Sequence, residues 1–128
     1  MTTSPLRALA AVRVFSRDLT ADREFYKGQL RLVESVVAAD WLVYRIGDVD
    51  LIVERGENDD PEQMVGRFTA FSFSVEDISR VCDELRAAGV KIVGEPETQS
   101  WGGALAHIAD PSGNVLTLVE HVRKSTSN

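Results

Sequence analysis

The chain repeats itself. Ala11-Val-Arg-Val-Phe-Ser-Arg-Asp18-Leu19 alternates and then reaches an acidic residue followed by an aliphatic one. Fifty-nine residues later, Ala70-Phe-Ser-Phe-Ser-Val-Glu-Asp77-Ile78 has the same form. Val12 and Val14, like Phe71 and Phe73, fall at the period of a half-buried strand. After each aspartate comes an amphipathic segment, with Leu19, Phe25, Tyr26 and Leu30 in the first and Ile78, Val81, Leu85 and Ala88 in the second. Asp18 and Asp77 are well suited to cap those helices by accepting a backbone N–H. Gly89, after Arg86-Ala87-Ala88, reads as a helix stop.

Three strand-like stretches come after each helix. The first set is Leu32–Ala38, Trp41–Ile46 and Val49–Glu54, with a turn at Gly47-Asp48. The second is Val90–Val93, Ala104–Ala109 and Val115–Val119, with a turn at Asp110-Pro-Ser-Gly-Asn114. Each half is thus predicted to be β-α-β-β-β. Module one spans about residues 7–55, a polar linker about 56–67, module two about 68–122, and a polar tail 123–128. Two copies of such a unit predict two similar subdomains within one domain, since a solenoid needs more repeats.

Composition narrows the function classes. With 128 residues, 44% hydrophobic and 27% charged, the chain suits one globular domain rather than a disordered or fibrous one. Fourteen Lys+Arg against 20 Asp+Glu give a net charge of −6 and no basic stripe, which argues against nucleic acid. No apolar run is long enough to span a membrane. The start is polar, and Arg7, Arg13 and Arg17 interrupt the apolar stretch after it, so no signal peptide is expected. A single cysteine, Cys82, fits a reducing, cytoplasmic setting.

Asp18-Leu19, Phe25-Tyr26 and Leu30 of the first half, with Ala87-Ala88-Gly89-Val90, Trp101-Gly102 and Asp110-Pro-Ser-Gly-Asn114-Val-Leu-Thr-Leu-Val-Glu120 of the second, resemble the vicinal oxygen chelate superfamily. Its members include glyoxalase I, bleomycin-resistance proteins and extradiol dioxygenases. The resemblance covers Leu9 to His121 and implies an α+β fold. Two tandem βαβββ modules would form a curved, mostly antiparallel sheet around a cleft, often completed in a homodimer. The superfamily's enzymes chelate a divalent metal through cleft-facing His, Gln or Glu on the first and last strand of each module. By the resemblance those positions fall at Ala11, Ala70, Thr117 and Leu51, the last able to slip by one or two residues. Alanine and leucine cannot ligate a cation and threonine is a poor ligand, so no metal cofactor is expected.

No other constellation takes its place. His107 alone cannot hold a metal, and its plainer reading is a strand-surface or satisfied cleft histidine, matched in the repeat by Trp41. His121 borders the polar tail. Glu54 and Glu120 read as solvated strand ends, and Cys82 as a small buried hydrophobe. A phosphate loop, a nucleophile elbow and a CxxC pair are all missing from the sequence.

If Val12, Val14, Phe71 and Phe73 pack under the helices, then Ala11, Arg13, Phe15, Ala70, Ser72 and Ser74 face the other way. Trp41 and His107, with Leu51, Val53, Thr117 and Val119, are expected to join them on a concave side. Arg13, Phe15, Trp41, Ser72, Ser74, Trp101, His107 and Thr117 are then the candidate ligand-binding residues of an apolar, aromatic pocket. Two functions compete. One is a metal-free, homodimeric binding protein of the bleomycin-resistance type that sequesters a partly planar small molecule. The other is a glyoxalase-like lyase or isomerase, or a dioxygenase-type enzyme, acting on a small oxygenated substrate. Without the usual metal it would hold an anionic oxygen on Arg13 and use His107 as weak acid/base candidate.

Overall fold

The computed structural model describes residues 4–56 and 64–121. β1 (Ala11–Ser16), α1 (Leu19–Arg23), β2 (Val33–Val37), β3 (Trp41–Ile46) and β4 (Val49–Arg55) make the first module. β5 (Phe68–Ser74), α2 (Ile78–Ala87), β6 (Lys91–Thr98), β7 (Ala104–Ala109) and β8 (Val115–Glu120) make the second. Each module folds into its own four-stranded sheet, in the order β1-β4-β3-β2 and β5-β8-β7-β6. In both, the first strand runs parallel to the last and the other pairs are antiparallel. This is the tandem βαβββ, α+β arrangement expected from the repeat. Most of the expected linker, residues 57–63, the last residue of module two, 122, and the tail 123–128 lie outside the described residues.

Local chemistry explains the helix limits. The Asp18 carboxylate accepts from the N–H groups of Thr20 and Ala21 at 3.1 and 3.2 Å, and Asp77 accepts from Arg80 at 3.2 Å. The first helix departs from the expected plain amphipathic helix, because it widens into a π-helical turn over Glu24–Gln29. There the Leu30 N–H donates to the Phe25 carbonyl at 2.8 Å. A wider turn shifts the helical face by a residue. It lets the adjacent rings of Phe25 and Tyr26 both reach the core, packed edge to face at 4.8 Å.

The core lies between each helix and its sheet. Val14, Leu42, Tyr44, Leu51 and Val53 fill it in module one, and Cys82, Ala106, Ile108, Leu116 and Leu118 in module two. Leu51 and Val53 therefore correct the expectation that placed them on the concave side. Both are fully buried under α1 and its continuation. The β4 residues on the other face are Asp50, Ile52 and Glu54, which pair with Ala11, Arg13 and Phe15.

A buried polar knot joins the modules. The turn Asp110–Asn114 reaches from module two to the first helix, where the Tyr26 hydroxyl donates to Asp110 Oδ2 at 2.7 Å. Asp110 also accepts from the backbone N–H of Ser112 and Asn114 and from the Asn114 side chain, at 2.8–3.0 Å. The Asn114 amide in turn donates to the Phe15 carbonyl at 2.8 Å. Beside it, the Ser16 and Ser112 hydroxyls both donate to Asp22 Oδ2. The Oδ1 atom of this fully buried carboxyl has no partner among the described residues. Burial pushes the Asp22 pKa up, with the two serine hydrogen bonds opposing and nearby Asp110 adding.

The raised pKa makes stability depend on pH. The folded chain binds the Asp22 proton more tightly than the unfolded chain does. Its contribution to stability is full below the unfolded pKa and drains as pH rises through the folded one. Asp22→Asn is expected to flatten the stability–pH curve above the ordinary carboxylate range, where the parent chain loses stability as pH rises. Urea midpoints across that range measure it, and a slope unchanged from the parent chain would contradict the assignment.

Candidate functional site

Strand alternation leaves each sheet with one face away from its helix, and the candidate residues other than Trp101 lie on these two faces, Thr117 buried among them. On the first sheet, Arg13 and Phe15 of β1 stand beside Ile52 and Glu54 of β4, and Trp41 and Val43 of β3 stand beyond them. Glu54 is the residue that sequence reasoning misses. It is no solvated strand end: the Arg13 guanidinium donates to it through Nε at 3.1 Å and Nη2 at 2.7 Å. That hydrogen bond and the carboxylate's charge raise the Arg13 pKa further. The same guanidinium lies over the Phe15 ring, 5.4 Å from its centroid.

On the second sheet, Ser72 and Ser74 of β5 stand beside Thr117 and Val119 of β8, and His107 of β7 lies opposite Thr117. His107 Nδ1 is 3.0 Å from the Thr117 hydroxyl, and Phe68 meets the imidazole edge to face at 5.8 Å. The ring also lies close to β6 at Gly94, where a Cβ would come within 2.8 Å of His107 Cδ2. A bare glycine is what lets the imidazole sit that low. The β5 strand bulges next to it. Phe68 pairs with Val115 and Ser72 with Thr117, so β5 spends more residues than β8 over the same span. Within the bulge, Ala70 takes φ 68°, which is strained for a residue with a Cβ.

Trp101 belongs to neither face proper. It sits in the turn between β6 and β7, folded onto Gly103, where an added Cβ would overlap the indole. Its ring centroid is 6.2 Å from that of His121. Glu120, expected at a solvated edge, instead accepts from the Ile78 N–H at the start of α2, at 2.9 Å. Register also corrects the repeat match. His107 pairs with Thr117 as Val43 pairs with Ile52, so the counterpart of His107 is Val43 and that of Trp41 is Leu105.

The two faces thus gather two sets, Arg13, Phe15, Trp41 and Glu54 on one and Ser72, Ser74, His107 and Thr117 on the other. Among the described residues no hydrogen bond or ring contact joins the sets. The first face exposes Trp41 (46%) and the second Phe68 (56%).

The donor sets do not suit a divalent metal. The positions that the resemblance assigns to ligands carry Ala11 and Ala70 on the first strands and Thr117 on β8. On β4, Leu51 is core and its open-face neighbour is Ile52. Among the described residues no group of three or more His, Cys, Asp or Glu converges. Arg13 already meets Glu54 through two of its nitrogens. Both faces carry aromatic rings beside a few hydrogen-bonding side chains instead.

Known proteins with this architecture can be compared directly. Residues 8–118 match the model of the Glyoxalase/Bleomycin resistance protein/Dioxygenase superfamily. A bleomycin resistance protein of Klebsiella pneumoniae is 25% identical over 115 residues, covering 83% of this chain and 86% of its own. The crystal structure of a lactoylglutathione lyase from Agrobacterium tumefaciens superposes with a TM-score of 0.74 at 18% identity, covering 91% of this chain and 95% of that one. A superfamily member from Sphaerobacter thermophilus gives 0.73 at 21% identity, covering 91% and 98%. At those identities the two structures speak for the fold alone. With a repeat that folds into two βαβββ modules and a family match spanning most of its length, the chain belongs to the Glyoxalase/Bleomycin resistance protein/Dioxygenase superfamily.

Proposed function

We propose that the chain is a metal-free binding protein of the bleomycin-resistance type, holding a small, partly planar molecule between its open sheet faces. The observation that carries this reading is the exchange of ligand-type side chains for Ala11, Ile52, Ala70 and Thr117 on faces that expose Trp41 and Phe68. Aromatic rings beside a few polar groups are the lining of a small-molecule site. Phe15 and Trp41 supply stacking surface. Ser72, Ser74, Thr117 and His107 supply hydrogen bonds, and Trp101 lies at the rim. The similarity to a bleomycin resistance protein points the same way.

The occupied state is a C2 homodimer in the cytoplasm. A closed two-fold assembly is the commonest way for a small chain to cover such faces. Pairing the first sheet of one copy with the second sheet of the other would unite the two sets of side chains, between which no hydrogen bond or ring contact runs among the described residues. The enzyme reading has less support, because the hydrogen-bond partner of His107 among the described residues is the Thr117 hydroxyl, which supplies no second acid/base group.

One chelator-free preparation tests both parts of the proposal. Elemental analysis is expected to find no stoichiometric metal, and divalent ions to leave the melting temperature unchanged. Light scattering is expected to give twice the 14.1 kDa chain mass. A bound metal at one per chain would reinstate a glyoxalase-like or dioxygenase-like enzyme, and a monomer at micromolar concentration would defeat the shared cleft.

A further inference from the structure

Glu54 sits in an unusual row. Across the first sheet its neighbour on β1 is Phe15 and its neighbour on β3 is Trp41. All three side chains point to the open face, within about 10 Å of one another at ordinary strand spacing. A carboxylate between two aromatic faces attracts cations. The charge draws them in, and the electron-rich ring faces hold them once water is displaced. The chain's own structure shows the kind of cation that fits. The Arg13 guanidinium lies over Phe15 at 5.4 Å and meets both Glu54 oxygens, which leaves the Trp41 side of the row to a visitor.

We propose that Phe15, Glu54 and Trp41 form a subsite for a planar organic cation (an amidinium, a guanidinium or a protonated nitrogen heterocycle), with Arg13 as its built-in competitor. This rests on the binding reading above and names the class of ligand it takes. Arg13 is an exposed side chain, and exposed ion pairs contribute little, so an incoming cation displaces it at small cost. Trp41 offers the strongest cation–π face of the natural side chains and is 46% exposed beside the carboxylate. The net charge of −6 favours the approach of cations over anions.

The two charged residues then act in opposite directions, and this makes the proposal sharp. Naphthamidine (protonated at neutral pH), neutral naphthamide and anionic naphthoate share one ring and differ in charge. They are titrated by calorimetry into the full-length protein and three variants whose melting temperatures are checked first. Naphthamidine is expected to bind best. Arg13→Gln is expected to tighten it about threefold or more by removing the competitor, while Glu54→Gln and Trp41→Ala weaken it by about the same factor. Preference for naphthoate, or a loss of naphthamidine affinity in Arg13→Gln, overturns the cation subsite while leaving a binding cleft in place. Equal binding of all three compounds, unmoved by either charge substitution, does the same. No binding of any of the three to the parent protein overturns the subsite, and the metal analysis and light scattering above judge the binding reading separately.

Discussion

Asp110→Ala is expected to destabilise the chain by about 3 kcal/mol or more, because each buried donor left without an acceptor costs about 1–3 kcal/mol. The carboxylate accepts from four donors: the Tyr26 hydroxyl, the N–H groups of Ser112 and Asn114, and the Asn114 side chain. Alanine leaves these buried donors without water and without a partner, and each orphan adds its own desolvation cost. The loss also spreads, since Asn114 then holds the Phe15 carbonyl and the Gly66 N–H from a looser turn. Tyr26→Phe removes one donor and keeps the ring, so it is expected to cost only about 1 kcal/mol. Urea denaturation distinguishes the two. Equal, small losses in both variants would mean that the turn does not lock the modules together.

A second large effect separates two adjacent residues. Leu51→Ala is expected to cost about 2–5 kcal/mol, because Leu51 is fully buried beneath the first helix and truncation leaves a cavity. Ile52→Ala is expected to cost less than about 1 kcal/mol in stability, since its side chain lies on the open face, half-buried. It is expected to act on ligand affinity instead. The reverse order would place Leu51 on the open face, with β4 shifted by one residue.

That pair marks the limit of sequence reasoning. Aligning Gly47-Asp48-Val49 with Gly113-Asn114-Val115 puts Leu51 opposite Thr117 in the repeat. The alignment matches residue types and ignores turn length. In module one Ile46 and Val49 close a two-residue turn and face the core, whereas in module two Ala109 and Val115 close a five-residue turn and face outward. A one-residue difference in register sends every side chain of a strand to the other face. With β4 turned over in this way, Glu54 reads as an edge residue and its bond to Arg13 is invisible. The two turns do differ in the sequence itself, Gly47-Asp48 against Asp110–Asn114, and comparing their lengths is the signal that exposes the slip.

Other features have no such signal. The Asp22 knot joins side chains from β1, the first helix and the β7–β8 turn, far apart in sequence. The π-helical turn depends on two neighbouring rings both needing the core. Neither is a periodic pattern, and each is settled by what packs against what.

The sequence by itself determined the two βαβββ modules, their caps at Asp18 and Asp77, the inward faces of β1 and β5, and the family. These arise from local rules: side-chain periodicity, capping chemistry and turn residues act over a few positions and are written in order along the chain. Only the tertiary structure decided the facing of β4, the pairing of Arg13 with Glu54 between aromatic rings, and the joint through Asp110 and Asp22. Those depend on register and on contacts between distant segments, where a shift of one residue exchanges core for surface and free charge for paired.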